Sequence, residues 1–297
     1  MSEIRAALAG MKGTVRYHEP MSRHTSFRIG GPADAYVEPD TPEALQQLMA
    51  RAWKAKVPVF VMGGTNLLVR DGGIRGIVVR LVKFDRIHGP EDGVIYAEGG
   101  VGMPKLVKFA MQHGLAGLEF AAGIPGTVGG SAVMNAGTKW GEMKDVVSKI
   151  RMVTMTGEML ELSSEQMGFS YRRSKLPQGI VVGVWLSLKP GAKSEIESTV
   201  KQWLHRRKAT QPIEMPNAGC VFKNPGGEPA GQLIEAAGLK GAHVGDAQVS
   251  TKHANFIVNQ GHAKASDAMA LIRLVGKTVA EKFGVMLELE VKIVGRT

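Results

Sequence analysis

The sequence predicts an α+β fold in two parts. A phosphate-cradling module covers residues 1–190, and a smaller α+β domain covers 191–297. Three observations carry this. Helix-type apolar spacing and strand-type apolar runs both occur, with consecutive strands expected over 147–155, 158–162 and 180–188. Glycine clusters at Gly63-Gly64 and between Gly123 and Gly130 both lie before residue 190. Lys189-Pro190-Gly191 then breaks the pattern, and a new helix opens after it.

In order, a short helical segment leads to Thr25-Ser26-Phe27-Arg28-Ile29-Gly30-Gly31-Pro32, read as a strand running into a turn. Thr41-Pro42-Glu43 has the form of a helix start, with a capping hydroxyl, a first-turn proline and an early carboxylate. Leu45, Leu48, Met49 and Ala52 then recur at helical spacing. A strand over 57–62 runs into Gly63-Gly64-Thr65-Asn66-Leu67, which offers backbone amides and short polar side chains at one point. Strands are expected over 76–81 and 94–98, and an amphipathic helix over 103–113 stopped by Gly114.

The stretch Gly123-Ile124-Pro125-Gly126-Thr127-Val128-Gly129-Gly130 is the second cradle. Its glycines let the backbone lie against a ligand, and its amides, running into a helix near Ser131, form an expected anion site. Its apolar residues mark it as packed and not as a solvated linker. Residues 147–155 and 158–162 are expected to pair as a hairpin about Thr156-Gly157, followed by a polar loop at Tyr171-Arg172-Arg173-Ser174 and a β-branched strand over 180–188.

Beyond the break, helices are expected over 195–208 and near 231–237, a strand over 255–259, and a longer helix capped by Ser266. The last strand alternates. Leu287, Leu289, Val291 and Ile293 face one way, with Glu288 and Glu290 on the opposite face. Alternation leaves the two carboxylates equivalent.

Composition narrows the classes. The chain has 297 residues, 44% apolar and 22% charged, with mean hydropathy −0.04. A formal charge of +10 favours anionic partners. Aromatic content of 6%, with no basic run interleaved with aromatics, argues against a base-stacking surface and a nucleic-acid partner. One cysteine, Cys220, excludes an intrachain disulfide and a cysteine-rich metal site, so no metal is expected. No signal segment or membrane-length apolar run is expected, which places the protein in the cytoplasm. There is no Gly-x-Gly-x-x-Gly, and Gly276-Lys277-Thr278 lacks the first glycine of a P-loop because Leu271 stands there.

Thr25-Ser26-Phe27-Arg28-Ile29-Gly30-Gly31, Gly63-Gly64-Thr65-Asn66-Leu67-Leu68, Gly123 through Gly130, Tyr171-Arg172-Arg173-Ser174, Ala218-Gly219-Cys220-Val221-Phe222-Lys223-Asn224-Pro225 and Leu287-Glu288-Leu289-Glu290-Val291 follow one another along nearly the whole chain. Together they resemble the UDP-N-acetylenolpyruvoylglucosamine reductase (MurB) family, in its shorter form without the tyrosine loop. The resemblance implies that residues 1–190 are a two-subdomain FAD-binding module of the vanillyl-alcohol-oxidase/PCMH type, split near residue 75. It implies non-covalent FAD, NADPH as reductant, and reduction of UDP-N-acetylglucosamine-enolpyruvate to UDP-N-acetylmuramate by a monomer.

By motif position, the resemblance makes Arg172 the enolate-stabilising arginine, Cys220 the proton donor where many members carry serine, and Glu290 the carboxylate that works with the arginine. It assigns the cofactor to Gly63, Gly64, Thr65, Asn66, Leu67, Gly123, Pro125, Gly126, Thr127, Gly129 and Gly130. Substrate falls to Lys208, Lys223, Asn224 and His253. An FAD-dependent oxidase on the same cradle, and a basic nucleotide-binding protein without activity, are the alternatives.

Overall fold

The computed structural model describes residues 1–63 and 65–297, so the expectation placed on Gly64 lies outside the described residues. The chain divides into two compact units. The first comprises Met1–Tyr17, Ala35–Gly64 and Gly76–His205, and the second His18–Asp34, Thr65–Arg75 and Arg206–Thr297.

The first unit contains helices α1 (Ser2–Ala7), α2 (Pro42–Lys54), α3 (Met103–Gln112) and α4 (Val128–Val133), and most of α5 (Lys193–Thr210). Thr41 caps α2 by accepting the Ala44 N–H at 3.2 Å, and Pro42 occupies its first turn, as its sequence predicts. The buried face of α2 is Ala44, Leu45, Leu48, Met49 and Ala52. Each large side chain on it contributes roughly 1.5–3 kcal/mol by leaving water. This face joins Ile4, Val37, Ile77, Phe84 and Val182 in one apolar core.

A second core is built around a five-stranded antiparallel sheet ordered Met159–Ser163, Val147–Thr154, Gly179–Ser187, Val94–Glu98, Ile87–Glu91. The expected hairpin about Gly157 supplies its first two strands. Met103, Leu106, Phe120, Val128, Ile150 and Val184 fill the space between this sheet and the helices α3 and α4. Helix α4 starts at Val128, ahead of the expected start near Ser131, because the Thr127 hydroxyl caps it by accepting the Gly130 N–H at 3.2 Å.

The second unit carries a four-stranded antiparallel sheet ordered Asn217–Cys220, Phe256–Asn259, Ala247–Val249, His243–Val244. Helices α6 (Ala230–Ala236) and α7 (Ala265–Phe283) share its core, in which Leu233, Ile234, Leu271, Ile272 and Val275 pack with Val249 and Ile257. Leu67–Val69 pairs in parallel with Lys292–Val294.

Several sequence expectations are corrected here. Residues 25–31 form no strand. The regular strand begins at Pro32, and a Cβ on Gly31 would sit 2.0 Å from the Asp71 carbonyl oxygen, which shows how closely that loop is packed. Ser266 does not cap α7: Lys264 is the capping residue, and the Asp71 carboxylate accepts the N–H groups of Ala265 at 2.8 Å and Ser266 at 2.9 Å. The final alternating stretch is a strand only over Lys292–Val294, with an isolated bridge between Leu289 and Phe222. Leu289, expected inside, is exposed, while Val291 is buried.

Candidate active site

In the first unit the glycine segments close on each other. The Gly63 carbonyl oxygen accepts both the Thr127 N–H at 3.1 Å and its hydroxyl at 3.0 Å. A Cβ on Gly129 would meet the carbonyl oxygens of Gly99 and Val181 at 2.9 Å, and one on Gly130 would meet that of Gly63 at 2.9 Å. These two glycines therefore serve close backbone packing.

That corrects the expected source of anion-binding amides. The N–H groups of Thr127, Val128, Gly129, Gly130 and Ser131 donate to Gly63 O, Val101 O, Gly99 O, Thr127 Oγ1 and Thr127 O. The amides of Gly123 and Gly126 have no acceptor among the described residues, and both residues have positive φ, +76° and +99°. The exposed Pro125 lies between them. Two amides with no protein acceptor among the described residues, beside a glycine-packed segment, suit a cofactor diphosphate.

The 170–174 segment is held beside α4. Ser170 and Arg173 exchange backbone hydrogen bonds at 2.8 and 3.1 Å, leaving Tyr171 and Arg172 at the corner of a tight turn. Arg172 has φ +54°, the third-position conformation that type II turns reserve for glycine or asparagine. Its guanidinium lies 5.1 Å from the Tyr171 ring centroid, and its side chain is half-buried.

In the second unit two distant motifs become one antiparallel ribbon. The N–H of Glu290 donates to the Val221 carbonyl at 2.9 Å, that of Lys223 to the Glu288 carbonyl at 2.8 Å, and Phe222 bridges Leu289. Cys220, next to Val221 and half-buried, thereby comes close to Glu290. Asn66 adds a third strand of support, accepting the Lys292 N–H at 2.8 Å and donating from Nδ2 to the Glu290 carbonyl at 3.4 Å. Thr65 accepts the Ser26 hydroxyl at 3.0 Å, and Leu67 is buried.

The carboxylates left equivalent by alternation are now distinct. Glu288 is 74% exposed and ion-paired with Lys223, whereas Glu290 is half-buried beside the Cys220 strand. The Lys223 ammonium, assigned to substrate by resemblance, is engaged by Glu288. Asn224 Oδ1 accepts the Ala230 N–H at 3.1 Å at the start of α6. His253 Nδ1 accepts the Asn255 N–H at 3.2 Å, and burial pushes its imidazole below the ordinary value, helped by Lys240. Lys208 is exposed near the end of α5, and its charge helps hold the Glu214 carboxyl below its usual range after a local backbone bond.

Sequence reasoning missed a set of polar residues that organise the Cys220 strand and the loop before it. Asn255 clamps the Cys220 strand: its Oδ1 accepts the Phe222 N–H at 2.9 Å and its Nδ2 donates to the Phe222 carbonyl at 2.8 Å. Asn217 staples the preceding loop, donating to Pro212 O at 3.1 Å and Met215 O at 2.8 Å and accepting the Gly219 N–H at 2.9 Å. Burial depresses the Arg207 guanidinium, with the Cys220 sulfur acting in the opposite sense, and Nε of Arg207 finds no acceptor among the described residues. The available signal for such clamps is an asparagine inside an apolar run, as in Ala254-Asn255-Phe256 and Met134-Asn135-Ala136.

Comparison with known proteins decides the family. Residues 211–294 match the model described as the C-terminal domain of UDP-N-acetylenolpyruvoylglucosamine reductase, and residues 33–163 match an FAD binding domain. A UDP-N-acetylenolpyruvoylglucosamine reductase 2 of Symbiobacterium thermophilum is 48% identical over 299 residues, covering 99% of this chain and 97% of its own. The chain belongs to the UDP-N-acetylenolpyruvoylglucosamine reductase family. Another member, from Caldanaerobacter subterraneus, is 47% identical over 287 residues, covering 96% of this chain and 95% of its own. The crystal structure of the family's enzyme from Thermus caldophilus superposes with a TM-score of 0.82 at 38% identity, covering 96% of this chain and 100% of that one. The berberine-bridge-enzyme-like protein 1 of Physcomitrella patens shares the fold alone, with a TM-score of 0.51 at 16% identity over 63% of this chain and 44% of that one. The chain therefore has the α+β fold of this family, with an FAD-binding module.

Proposed function

We propose that this chain is the FAD- and NADPH-dependent enzyme that reduces the enolpyruvyl ether of UDP-N-acetylglucosamine-enolpyruvate to UDP-N-acetylmuramate, a step of peptidoglycan precursor synthesis. The observation that carries it is family membership over nearly the full length, supported by the ribbon that seats Cys220 near Glu290. Non-covalent FAD is held by residues 63–67 and 123–130, within a module over 1–190, and the substrate is held by the domain over 191–297. FAD bound there would, once reduced by NADPH, supply a hydride to the terminal methylene carbon of the substrate.

The protein's own residues handle the charge and the proton. As the carbon–carbon double bond opens, negative charge builds on the carboxylate side, and the Arg172 guanidinium compensates it. The Cys220 thiol gives its proton to the adjacent carbon, completing the saturated ether and leaving a thiolate that is reprotonated from solvent. A thiol is a stronger acid than the serine hydroxyl many members carry there, and it can donate. Glu290 is the carboxylate that works with Arg172. Lys208, Lys223, Asn224 and His253 hold the substrate, with Lys223 exchanging its Glu288 partner for substrate. No helix among the described residues is long and apolar enough to cross a membrane. We place the enzyme in the cytoplasm as a monomer.

The test is anaerobic spectroscopy of the purified protein. NADPH is expected to bleach a stoichiometric flavin absorbance, and UDP-N-acetylglucosamine-enolpyruvate to restore it. A colourless protein that takes up no FAD, or a reduced flavin that only oxygen reoxidises, overturns the reading.

A further inference from the structure

The turn that presents Arg172 rests on an unfavourable backbone. A positive φ at an arginine persists only where its surroundings over-determine it. Two side chains that the proposed reaction does not use supply that restraint. Asn135, fully buried and itself at φ +44°, donates from Nδ2 to the Ser170 carbonyl at 3.1 Å. Its Oδ1 accepts the Lys144 N–H at 2.9 Å, so the amide is oriented from both ends. Beyond the turn, the Ser174 hydroxyl donates to the carbonyl of Val133 at 2.7 Å.

Both restraints fasten to the same place. Val133 is the last residue of α4 and Asn135 lies just past it, while the first turn of α4 is the cradle capped by Thr127. The turn is thus held on each side of Tyr171-Arg172 to the far end of the cradle helix. We propose that Asn135 and Ser174 are positioning residues for Arg172, which couple the setting of its guanidinium to the cofactor cradle through α4. This rests on the reading above that Arg172 acts on the substrate.

The holoenzyme with Ser174→Ala, Ser174→Thr or Asn135→Asp is compared with Arg172→Ala and with the double variant Arg172→Ala/Ser174→Ala in stopped-flow. Misplacing a catalytic group by an ångström costs up to about 100-fold. Ser174→Ala and Asn135→Asp are therefore expected to slow oxidation of reduced flavin by substrate about 10- to 100-fold while leaving reduction by NADPH unchanged. Ser174→Thr, which keeps the hydroxyl, is expected to stay within a few-fold of wild type. The double variant is expected to be no slower than Arg172→Ala, because the serine acts through the arginine. Hydrogen exchange at the Ser170 and Arg173 amides gives a readout independent of turnover: it is expected to slow when FAD loads wild-type protein and to lose that response in Ser174→Ala. Additive losses in the double variant, equal slowing of both half-reactions, or exchange indifferent to FAD overturns the proposal. If Arg172→Ala itself keeps the wild-type rate, the reading of Arg172 fails, and the exchange experiment still decides whether the turn is coupled to the cradle.

Discussion

The backbone N–H of Glu290 donates to the carbonyl oxygen of Val221 at 2.9 Å, so Glu290 is held against the residue next to Cys220. A main-chain bond fixes this neighbourhood, and it therefore survives substitution of either side chain. Each of the two groups can be altered without dismantling the ribbon.

Cys220 tests the proton transfer. Cys220→Ser should stay active, since a hydroxyl occupies the same place and donates. Cys220→Ala should lose roughly 10²- to 10⁴-fold in oxidation of reduced flavin by substrate, the usual range for a general acid. Reduction by NADPH should be unaffected in both variants. A folded, FAD-bound alanine variant with wild-type turnover would remove Cys220 from the mechanism.

Arg172 pits backbone against chemistry. Arg172→Gly removes the penalty of a positive φ at a non-glycine residue, so it should match or exceed wild-type thermal stability while the substrate half-reaction slows sharply. The pair of measurements is calorimetry and stopped-flow. A clear fall in Tm would show that the guanidinium holds the fold and is not held by it.

Two glycine substitutions should move stability in opposite directions. Gly129→Ala puts a methyl 2.9 Å from two carbonyl oxygens, so it should cost about 1–3 kcal/mol and weaken FAD retention. Gly276→Ala, inside α7 with no atom of the described residues within 4 Å of its Cβ, should gain up to about 1 kcal/mol. Denaturant melts and flavin retention on gel filtration check both, and equal effects would contradict the close packing of the cradle.

His253 gives a pH dependence. Burial lowers its pKa in the folded protein, so between that value and the unfolded value of about 6.5 the folded state binds fewer protons than the unfolded chain. Its stability contribution is full above about pH 6.5 and is lost as pH falls through the lowered folded value. His253→Gln should therefore flatten the drop in Tm between about pH 7 and 5. An undiminished drop in the variant would assign the acid sensitivity to other groups.

Elements whose cause is local can be read from the chain alone. Thr41-Pro42-Glu43 with the apolar face of α2, the hairpin about Gly157, and the helix that Gly114 ends all appear where spacing and turn chemistry put them. The family was legible too, because its motifs sit in order along one chain. Features that depend on groups far apart in sequence emerge only once the chain is folded. Alternation left Glu288 and Glu290 equivalent until the Lys223 ammonium engaged one of them and the Val221 strand half-buried the other. Glycine content named the cradle, but only packing against Gly63, Gly99 and Val181 spent the amides of residues 127–131 internally and left those of Gly123 and Gly126. Asp71 capping α7, Asn255 clamping the Cys220 strand and Asn135 gripping the Arg172 turn have the same origin. A buried polar group must find a partner wherever the fold places one, and linear spacing carries no record of where that will be.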